Sequence, residues 1–398
     1  MDTKEKYTHW ALIAVAMLLF GTAIATVQYK VPVAMNDIMV NMNMDASSAS
    51  WLMSIFTFVG IILAVPTGVL AKKFGPKTML LAAAVVVALG SLLGAFAGNG
   101  TILIVSRAIE GIAFIFVTIC GPLAVQKYVA PEKIGSATGI WALWVCLGSV
   151  VGGVLTPSLY AATGFVGVWI IYAAAAVVFA VVVAVLVKFP SAEAQAEVEA
   201  AAASAAEGEV SYKELVKPNI LLFFFAFLVF NMTLLAVLSY APTFMQQQGV
   251  DSTLSGFIST LPMLLAVISS PLFGTLSDKM GRCKPLYLAS LVVMGPCTLI
   301  LLTQTGPLMW VGAIVMGLVG LGAPVMCLTS YITVLGRPEL MSIGMGVLML
   351  VQSLGQFLGS WLVPILLGAN MSEWMFTGIV MCVIGFIGTA SLALCKFK

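Results

Sequence analysis

The chain has 398 residues, of which 61% are hydrophobic and 9% are charged, and its formal net charge is +2. A soluble domain carries about 25% charged residues, so this composition excludes an ordinary soluble protein. The basic residues are spread along the chain, which gives no support for nucleic-acid binding. The seven cysteines show no CxxC spacing, so neither a disulfide framework nor a metal site is expected.

Twelve apolar runs are each long enough to cross the roughly 30 Å hydrocarbon core of a membrane. In chain order they predict helices over 10–36, 47–70, 77–97, 101–127, 134–160, 164–188, 219–246, 253–276, 285–304, 306–332, 340–367 and 373–395. The first run has no small-residue cleavage site after it, so it is interpreted as a span and not as a removed signal. The expected fold class is an all-α membrane protein with twelve transmembrane helices.

The basic residues predict the orientation of the chain. Of the 18 Lys and Arg residues, 16 fall at one set of alternating gaps between the runs. Lys and Arg stay on the cytoplasmic side of a membrane, so both termini are predicted to be cytoplasmic, in the inner membrane of a prokaryote. The other gaps carry only acidic charge, from Asp37, Asp45, Asp251 and Glu373.

The longest polar interval divides the spans into six plus six. It covers 190–217, is rich in Ala and Glu, and has too few large apolar residues to pack. We interpret it as an acidic cytoplasmic linker between an N-terminal six-helix bundle (1–189) and a C-terminal one (218–398). A partner-binding role for its acidic residues is the alternative.

The two halves repeat one another. Residues of the first half recur 206 or 207 positions later, as the pairs Gly68 and Gly274, Gly75 and Gly281, Gly111 and Gly317, Gly139 and Gly346, Gly148 and Gly355, Gly152 and Gly359, and Pro157 and Pro364. Glycines on a helix face let neighbouring helices approach closely. Both copies start on the same side, which predicts parallel pseudosymmetric bundles with a substrate site between them near the midplane.

Two loops carry a family resemblance. The loop GVLAKKFGPK follows the second span, and GTLSDKMGRCK follows the eighth. Both resemble the cytoplasmic G-x-x-x-D-[RK]-x-G-[RK] signature of the major facilitator superfamily, and SRAIEG resembles its fourth-helix motif. Below superfamily level, 240–256 and the overall length resemble the cyanate/nitrate-type permeases. The resemblance implies alternating access and assigns a gating role to Gly68, Lys72, Gly75, Gly274, Asp278, Gly281 and Arg282.

Three departures from the family patterns narrow the function. Lys72 stands where the first signature has an acid, whereas Asp278 is retained in the second. The second and eighth helices have no Arg, which disfavours nitrate as substrate. Gly153 stands where proton-antiporter relatives have Gly-Pro, which weakens an efflux interpretation.

Two basic residues lie within spans, where an ionisable group is by default a functional candidate. Lys30 lies about where anion–cation symporters of the superfamily carry a substrate-holding Arg. Lys30 precedes Pro32 by two residues as Tyr240 precedes Pro242, so pseudosymmetry predicts that ammonium and phenol face each other and bind an anion, with Tyr29 adjacent. The alternative is that Lys30 reaches water at the helix end.

Arg107 and Glu110 are three residues apart and share a face of the fourth helix. One hypothesis is that Arg107 holds the substrate while Glu110, the only acid in the interior of the predicted spans, gains and loses the coupling proton. The alternative is a self-neutralising pair that locks the helix. The interiors of the predicted spans of the second half hold no charge. Their polar candidates for substrate contact are Asn231, Gln352 and Gln356, for which interhelical hydrogen bonding is the alternative.

These residues favour a proton-coupled carrier of a small anion, with a monocarboxylate or a cyanate-like ion as substrate. The alternative functions are proton-linked efflux of amphipathic drugs and a non-transporting receptor on a transporter fold. The sequence has no GxxxxGK[ST] nucleotide motif. We therefore expect no enzymatic activity, no cofactor, no metal and no nucleic acid, with the lipid bilayer, a proton and a small anion as partners of a monomer.

Overall fold

A computed structural model of the chain describes residues 10–129, 133–187, 216–335, 341–368 and 370–397. These residues form α-helices joined by short turns, with one 3₁₀ turn, which confirms the predicted all-α class. Most of the linker 190–217 lies outside the described residues.

Within the residues that the structure describes, the first half contains six α-helices. Their bounds are α1 Trp10–Asn41, α2 Ala46–Phe74, α3 Pro76–Ala95, α4 Gly100–Tyr128, α5 Ile134–Trp141 and α6 Trp144–Leu186. The predicted fifth span breaks between α5 and α6. The fifth and sixth spans then join in α6 through Gly164, whose φ of 68° and ψ of −173° leave the helical region, a conformation that glycine adopts readily because it has no Cβ.

The described part of the second half contains seven α-helices. Their bounds are α7 Pro218–Gln247, α8 Ser252–Met280, α9 Lys284–Thr303, α10 Pro307–Leu318, α11 Ala323–Leu335, α12 Met341–Leu367 and α13 Trp374–Leu394. The predicted tenth span is interrupted by a 3₁₀ turn at Gly320–Gly322, where two glycines flank Leu321 and disfavour a continuous α-helix. Eleven stretches of the described chain are long and apolar enough to span a membrane, and the one over Ser136–Leu186, 51 residues, is long enough for two. The chain is therefore a multi-pass membrane protein.

Buried apolar residues form two clusters, one within Ile13–Val187 and one within Ile220–Cys395 that also includes Tyr29 and Ala46. The helices of each cluster pack mainly on one another, and the halves meet through α1 with α7, α2 with α12, and α6 with α8. We call the end of the molecule with the α1–α2 and α7–α8 loops the acidic end, and the opposite end, with Lys77 and Lys284, the basic end.

Lys77 and Lys284 show the repeat at atomic level. The Nζ of Lys77 donates to the carbonyl oxygens of Ala184, at 2.9 Å, and of Val187. The Nζ of Lys284 donates to the carbonyl oxygens of Ala393 and Cys395, both at 2.8 Å. Each lysine thus satisfies carbonyls at the C-terminus of the last helix of its own half, where a positive charge is favourable.

The two halves are held together at the acidic end. Gln246 of α7 accepts a hydrogen bond from Asn36 Nδ2 at 3.0 Å and donates to the carbonyl oxygen of Val33 at 3.0 Å. Near the same end, a Cβ on Gly256 of α8 would collide with the carbonyl oxygen of Gly153 of α6. At the basic end, by contrast, the positions that Cβ atoms would take on Gly68 and Gly274 are open.

Candidate functional site

Three charged side chains form a cluster inside the first half. Lys30 Nζ lies 2.7 Å from Glu110 Oε1, and Arg107 Nη1 lies 2.5 Å from Glu110 Oε2. All three side chains are 0% exposed. The cluster therefore brings together the three ionisable candidates from the sequence, with two cations on one carboxylate.

Arg107 is also bound to the backbone of two neighbouring helices. Its guanidinium donates to the carbonyl oxygens of Leu52 at 3.0 Å, Val27 at 2.8 Å and Gln28 at 3.4 Å, and lies 4.5 Å from the centre of the Phe56 ring. Pro32 has no N–H to bond the Gln28 oxygen within α1, so Arg107 supplies that donor. These hydrogen bonds favour the alternative in which Arg107 locks the helices together over the hypothesis in which it holds the substrate.

Lys30 is the less constrained cation. Apart from its bond to Glu110, its ammonium lies 4.1 Å from the centre of the Trp169 ring, which holds it by a cation–π interaction. The side chain is fully buried, so it does not reach water at the helix end. An ammonium has three donors, and one of them is used by Glu110.

Glu110 receives additional support from α3. Ser91 Oγ donates to Glu110 Oε1 at 2.5 Å. A Cβ on Gly90 would lie 3.0 Å from Glu110 Cγ, so the glycine makes room for this side chain. The carboxylate is thus hydrogen-bonded from α1, α3 and α4, as a charged group in a buried environment requires.

Lys30 and Tyr240 each bond within their own half. Tyr240 Oη donates to the carbonyl oxygen of Ser360 at 2.6 Å, an acceptor left free in α12 because Pro364 has no N–H. The structure shows no contact between Lys30 and Tyr240, both of which it describes. Tyr29 is buried against Gly152 of α6.

The remaining substrate-contact candidates lie in the second half. Asn231 is buried and donates to the carbonyl oxygen of Phe227 at 2.8 Å, which is a local bond on α7. Gln352 and Gln356 on α12 are half-buried. Their helix faces α2, where the rings of Phe58 and Phe357 lie 5.3 Å apart between the halves.

The gating-motif residues lie at the basic end. Gly75 and Gly281 have φ values of 81° and 62°, so the turns after α2 and α8 use a backbone conformation that favours glycine. Gly68 and Gly274 face open space, and Arg282 is exposed. The side chains of Lys72 and Asp278 lie outside the described part.

Four of the six helix-packing glycines lie at close helix crossings. A Cβ on Gly148 or Gly152 would collide with α1, and one on Gly355 or Gly359 would collide with α7. Gly139 and Gly346 have nothing within 4 Å of the position of a Cβ. The structure thus gives no packing reason for the last two.

Three functional side chains were not predicted from the sequence. Ser91 and Trp169 contact the charge cluster, and Gln246 joins the two halves at the acidic end. A serine, a tryptophan and a glutamine in apolar runs carry no signal of their own. A partial signal existed for Ser91, which lies between Gly90 and Gly94 on one face of α3. The described residues contain no group of three or more His, Cys, Asp or Glu side chains placed to hold a metal.

Comparison with known proteins places the chain in a family. The sequence model of the Major Facilitator Superfamily matches residues 11–360 and 243–397. The galactose-proton symporter of Escherichia coli (strain K12) is 31% identical over 154 residues, which are 38% of this chain and 32% of that protein. The methylenomycin A resistance protein of Bacillus subtilis (strain 168) is 32% identical over 160 residues, which are 38% of this chain and 34% of that protein.

The chain thus spans about a third of the length of these curated relatives. Among solved structures, a bacterial homologue of the human lysosomal transporter Spinster, in an inward-facing and occupied conformation, superposes with a TM-score of 0.75 at 14% identity, covering 97% of this chain and 96% of that one. A mutant of the peptide transporter POT gives a TM-score of 0.74 at 14% identity with the same coverage. These two likenesses show the fold.

Proposed function

This chain belongs to the major facilitator superfamily, whose members are transporters and not enzymes, and on that premise we propose that it carries a small anion, most simply a monocarboxylate, across the membrane together with a proton. The observation that supports this proposal is the buried cluster of Lys30, Arg107 and Glu110. A charge buried in a membrane protein is costly and needs compensation.

Charge balance connects the proton to the anion. With Glu110 ionised, the cluster carries a net charge of +1. When Glu110 accepts a proton and a monoanion binds Lys30 in its place, the net charge is again +1. Loading one proton and one monoanion therefore leaves the buried charge unchanged, whereas loading either one alone changes it by one unit. This argument favours 1:1 symport of a proton and a monoanion.

The geometry supports a carboxylate as substrate and Lys30 as its ligand. Glu110 presents a carboxylate to Lys30 at 2.7 Å, so a substrate carboxylate repeats chemistry that the site already accommodates. Arg107 is committed to three backbone carbonyls, which leaves Lys30 as the exchangeable partner. Tyr29 adjoins Lys30 on α1, and Tyr240, Asn231, Gln352 and Gln356 are the proposed contacts from the second half.

Alternating access supplies the movement. In this conformation the halves meet at the acidic end, where Gln246 joins α7 to α1. The distribution of lysine and arginine assigns the basic end, both termini and the linker to the cytoplasm, in a prokaryotic inner membrane. We propose that the gating motifs at the basic end close when the acidic end opens, and that a single chain is the working unit.

The test is uptake of radiolabelled formate, lactate, pyruvate and cyanate by proteoliposomes, with and without an imposed pH gradient. Uptake of at least one anion is expected to be stimulated by an inward proton gradient. Glu110→Gln is expected to abolish that stimulation and Lys30→Gln to abolish uptake, while Met316→Leu, at the equivalent of Glu110 in the second half, keeps both. A Glu110→Gln protein that still responds to the gradient contradicts the proposal.

Efflux of amphipathic drugs is the second candidate function, because one relative is named a methylenomycin A resistance protein and another an efflux pump, dotC of Dothistroma septosporum. A site for cationic drugs needs an unmatched acid, and this cluster has an unmatched base. The same proteoliposomes distinguish the two functions: proton-driven movement of a cationic dye, with no anion uptake, would favour efflux.

A further inference from the structure

Two buried polar atoms beside the charge cluster have no hydrogen-bond partner. They are the indole Nε1 of Trp169 on α6 and the hydroxyl Oγ of Ser106 on α4. Both side chains are 0% exposed, and neither atom is bonded within the part of the chain that the structure describes. Buried polar groups of this kind are commonly satisfied by an ordered water with two or more polar partners.

The two atoms converge on Gly94 of α3. The position that a Cβ on Gly94 would take lies within 2.5 Å of both Trp169 Nε1 and Ser106 Oγ, so the two atoms are close enough to each other for one water molecule to bridge them. Gly94 is one residue from the end of α3, at Ala95. Phe96 follows and is 71% exposed. The pair therefore lies just below the surface at the acidic end of the first half.

The same two residues adjoin the proton-coupling candidate. Ser106 and Glu110 are one turn apart on α4, a rise of about 6 Å, and both face α3, where Gly90 and Gly94 make room for them. The ring of Trp169 lies 4.1 Å from Lys30 Nζ, which is bonded to Glu110. Ser91 Oγ, which is bonded to Glu110 at 2.5 Å, lies three residues before Gly94 on α3.

We infer that a water molecule binds between Trp169 Nε1 and Ser106 Oγ and is the point at which protons enter towards Glu110. The indole N–H donates to the water oxygen, and the water and the Ser106 hydroxyl share a second hydrogen bond. A hydronium ion outside loses a proton to this path, and a Glu110 oxygen gains one and becomes a neutral acid. The role as proton entry rests on the proposed function of Glu110, and Trp169 and Ser106 are positioning residues.

This route lies within the first half and not between the halves. Protons then reach Glu110 from the α3–α4 side of the bundle, whereas the proposed route of the anion to Lys30 lies between the bundles. Because the two routes are separate, a proton can reach Glu110 while Gln246 still closes the interface between the halves at the acidic end.

The test measures the protonation of Glu110 directly and needs no substrate. The full-length protein, reconstituted in lipid films, is stepped from high to low pH, and the carboxylic-acid C=O band is followed by time-resolved infrared difference spectroscopy. The Glu110 component is the part of the band that disappears in Glu110→Gln. Trp169→Phe keeps the ring against Lys30 but removes the N–H, and Ser106→Ala removes the hydroxyl. The matched control is Ser269→Ala, which removes another fully buried hydroxyl without a described partner, on α8.

Both test variants are expected to protonate Glu110 roughly three- to tenfold more slowly, the effect expected from one lost hydrogen bond, and the control at the wild-type rate. Wild-type rates in both variants would overturn the inference and leave the proposed function intact. A wild-type film with no Glu110 band would overturn both. Equal slowing in Ser269→Ala would also overturn the inference, because it would show that any buried hydroxyl has the same effect.

Discussion

The two halves of this protein repeat the same helices around different interiors. In the first half, Arg107 and Glu110 are fully buried in an ion cluster; 206 residues later, the same positions hold Ala313 and Met316, also fully buried. What the halves share is architectural: equivalent N-cap aspartates, equivalent lysines at the basic end and equivalent glycines at helix crossings. The comparison separates the residues that build a bundle from those that give one bundle its ion chemistry.

The largest expected effect comes from removing the charged groups from the interior of the first half. Glu110→Met alone leaves two buried cations unpaired and is expected to destabilise the protein by about 3–5 kcal/mol, as when one partner of a buried ion pair is removed. The triple variant Lys30→Met, Arg107→Ala and Glu110→Met removes all three charges and is expected to recover most of that loss. Unfolding in detergent measures both.

Met316→Leu is the control for these variants, with an expected change below about 1.5 kcal/mol. A triple variant no more stable than Glu110→Met would contradict the expectation, because it would show that the cluster itself stabilises the first half.

A smaller effect tests what the halves share. Gly148→Ala and Gly355→Ala place a Cβ against the neighbouring helix of each half, on Thr22 and Leu228 carbonyl oxygens among other atoms, and each is expected to cost about 1–3 kcal/mol. Gly139→Ala and Gly346→Ala meet open space, so they are expected to be neutral or to gain up to about 1 kcal/mol from helix propensity. Unequal losses of stability at Gly148 and Gly355 would contradict the proposed structural equivalence of the two halves.

Tyr240→Phe tests how the second half satisfies a proline-freed carbonyl without a charge. Tyr240 bonds the oxygen of Ser360 as Arg107 bonds that of Gln28. Loss of this hydrogen bond is expected to cost about 0.5–1.5 kcal/mol, measured as above. An unchanged stability would show that the Ser360 oxygen finds another donor.

The smallest effect concerns the N-caps of α2 and α8. Asp45 accepts from the Ser48 N–H at 2.9 Å, and Asp251 accepts from the Thr253 and Leu254 N–H groups at 2.9 and 3.0 Å. Asp45→Ala and Asp251→Ala are each expected to lose about 1 kcal/mol, the usual cost of removing an N-cap. Equal losses of stability, measured by thermal unfolding, would support the equivalence of the two N-caps.

Asp45 also predicts a pH dependence. Hydrogen bonds from the side chain and backbone of Ser48 lower the pKa of Asp45 below its ordinary value. Because the folded-state pKa is the lower one, the stabilisation is fully present above the ordinary pKa of about 3.9 and is lost as the pH falls through the folded-state value. The stability difference between wild type and Asp45→Asn is therefore expected to shrink on acidification, and a constant difference would contradict this.

The sequence predicted the helices better than the contacts of the site. Apolar runs set the spans and the glycine spacing set the repeat, because both depend on local periodicity. Lys30, Arg107 and Glu110 stood out because charges are rare in apolar runs. Their mutual contact, and the roles of Ser91 and Trp169, depend on helices far apart in the chain and left no local pattern. The fusion of two spans through Gly164 was missed because a single non-helical glycine does not interrupt an apolar run.

The contacts of Lys77 and Lys284 have a mechanical consequence. Each lysine ties the start of the third helix of its half to the end of the last, so the rim of each bundle at the basic end is braced. The segment after Val187, which leads to the second half, is attached to that braced rim and not to a fraying helix end. A displacement of Val187 would therefore be transmitted through Lys77 to the start of α3.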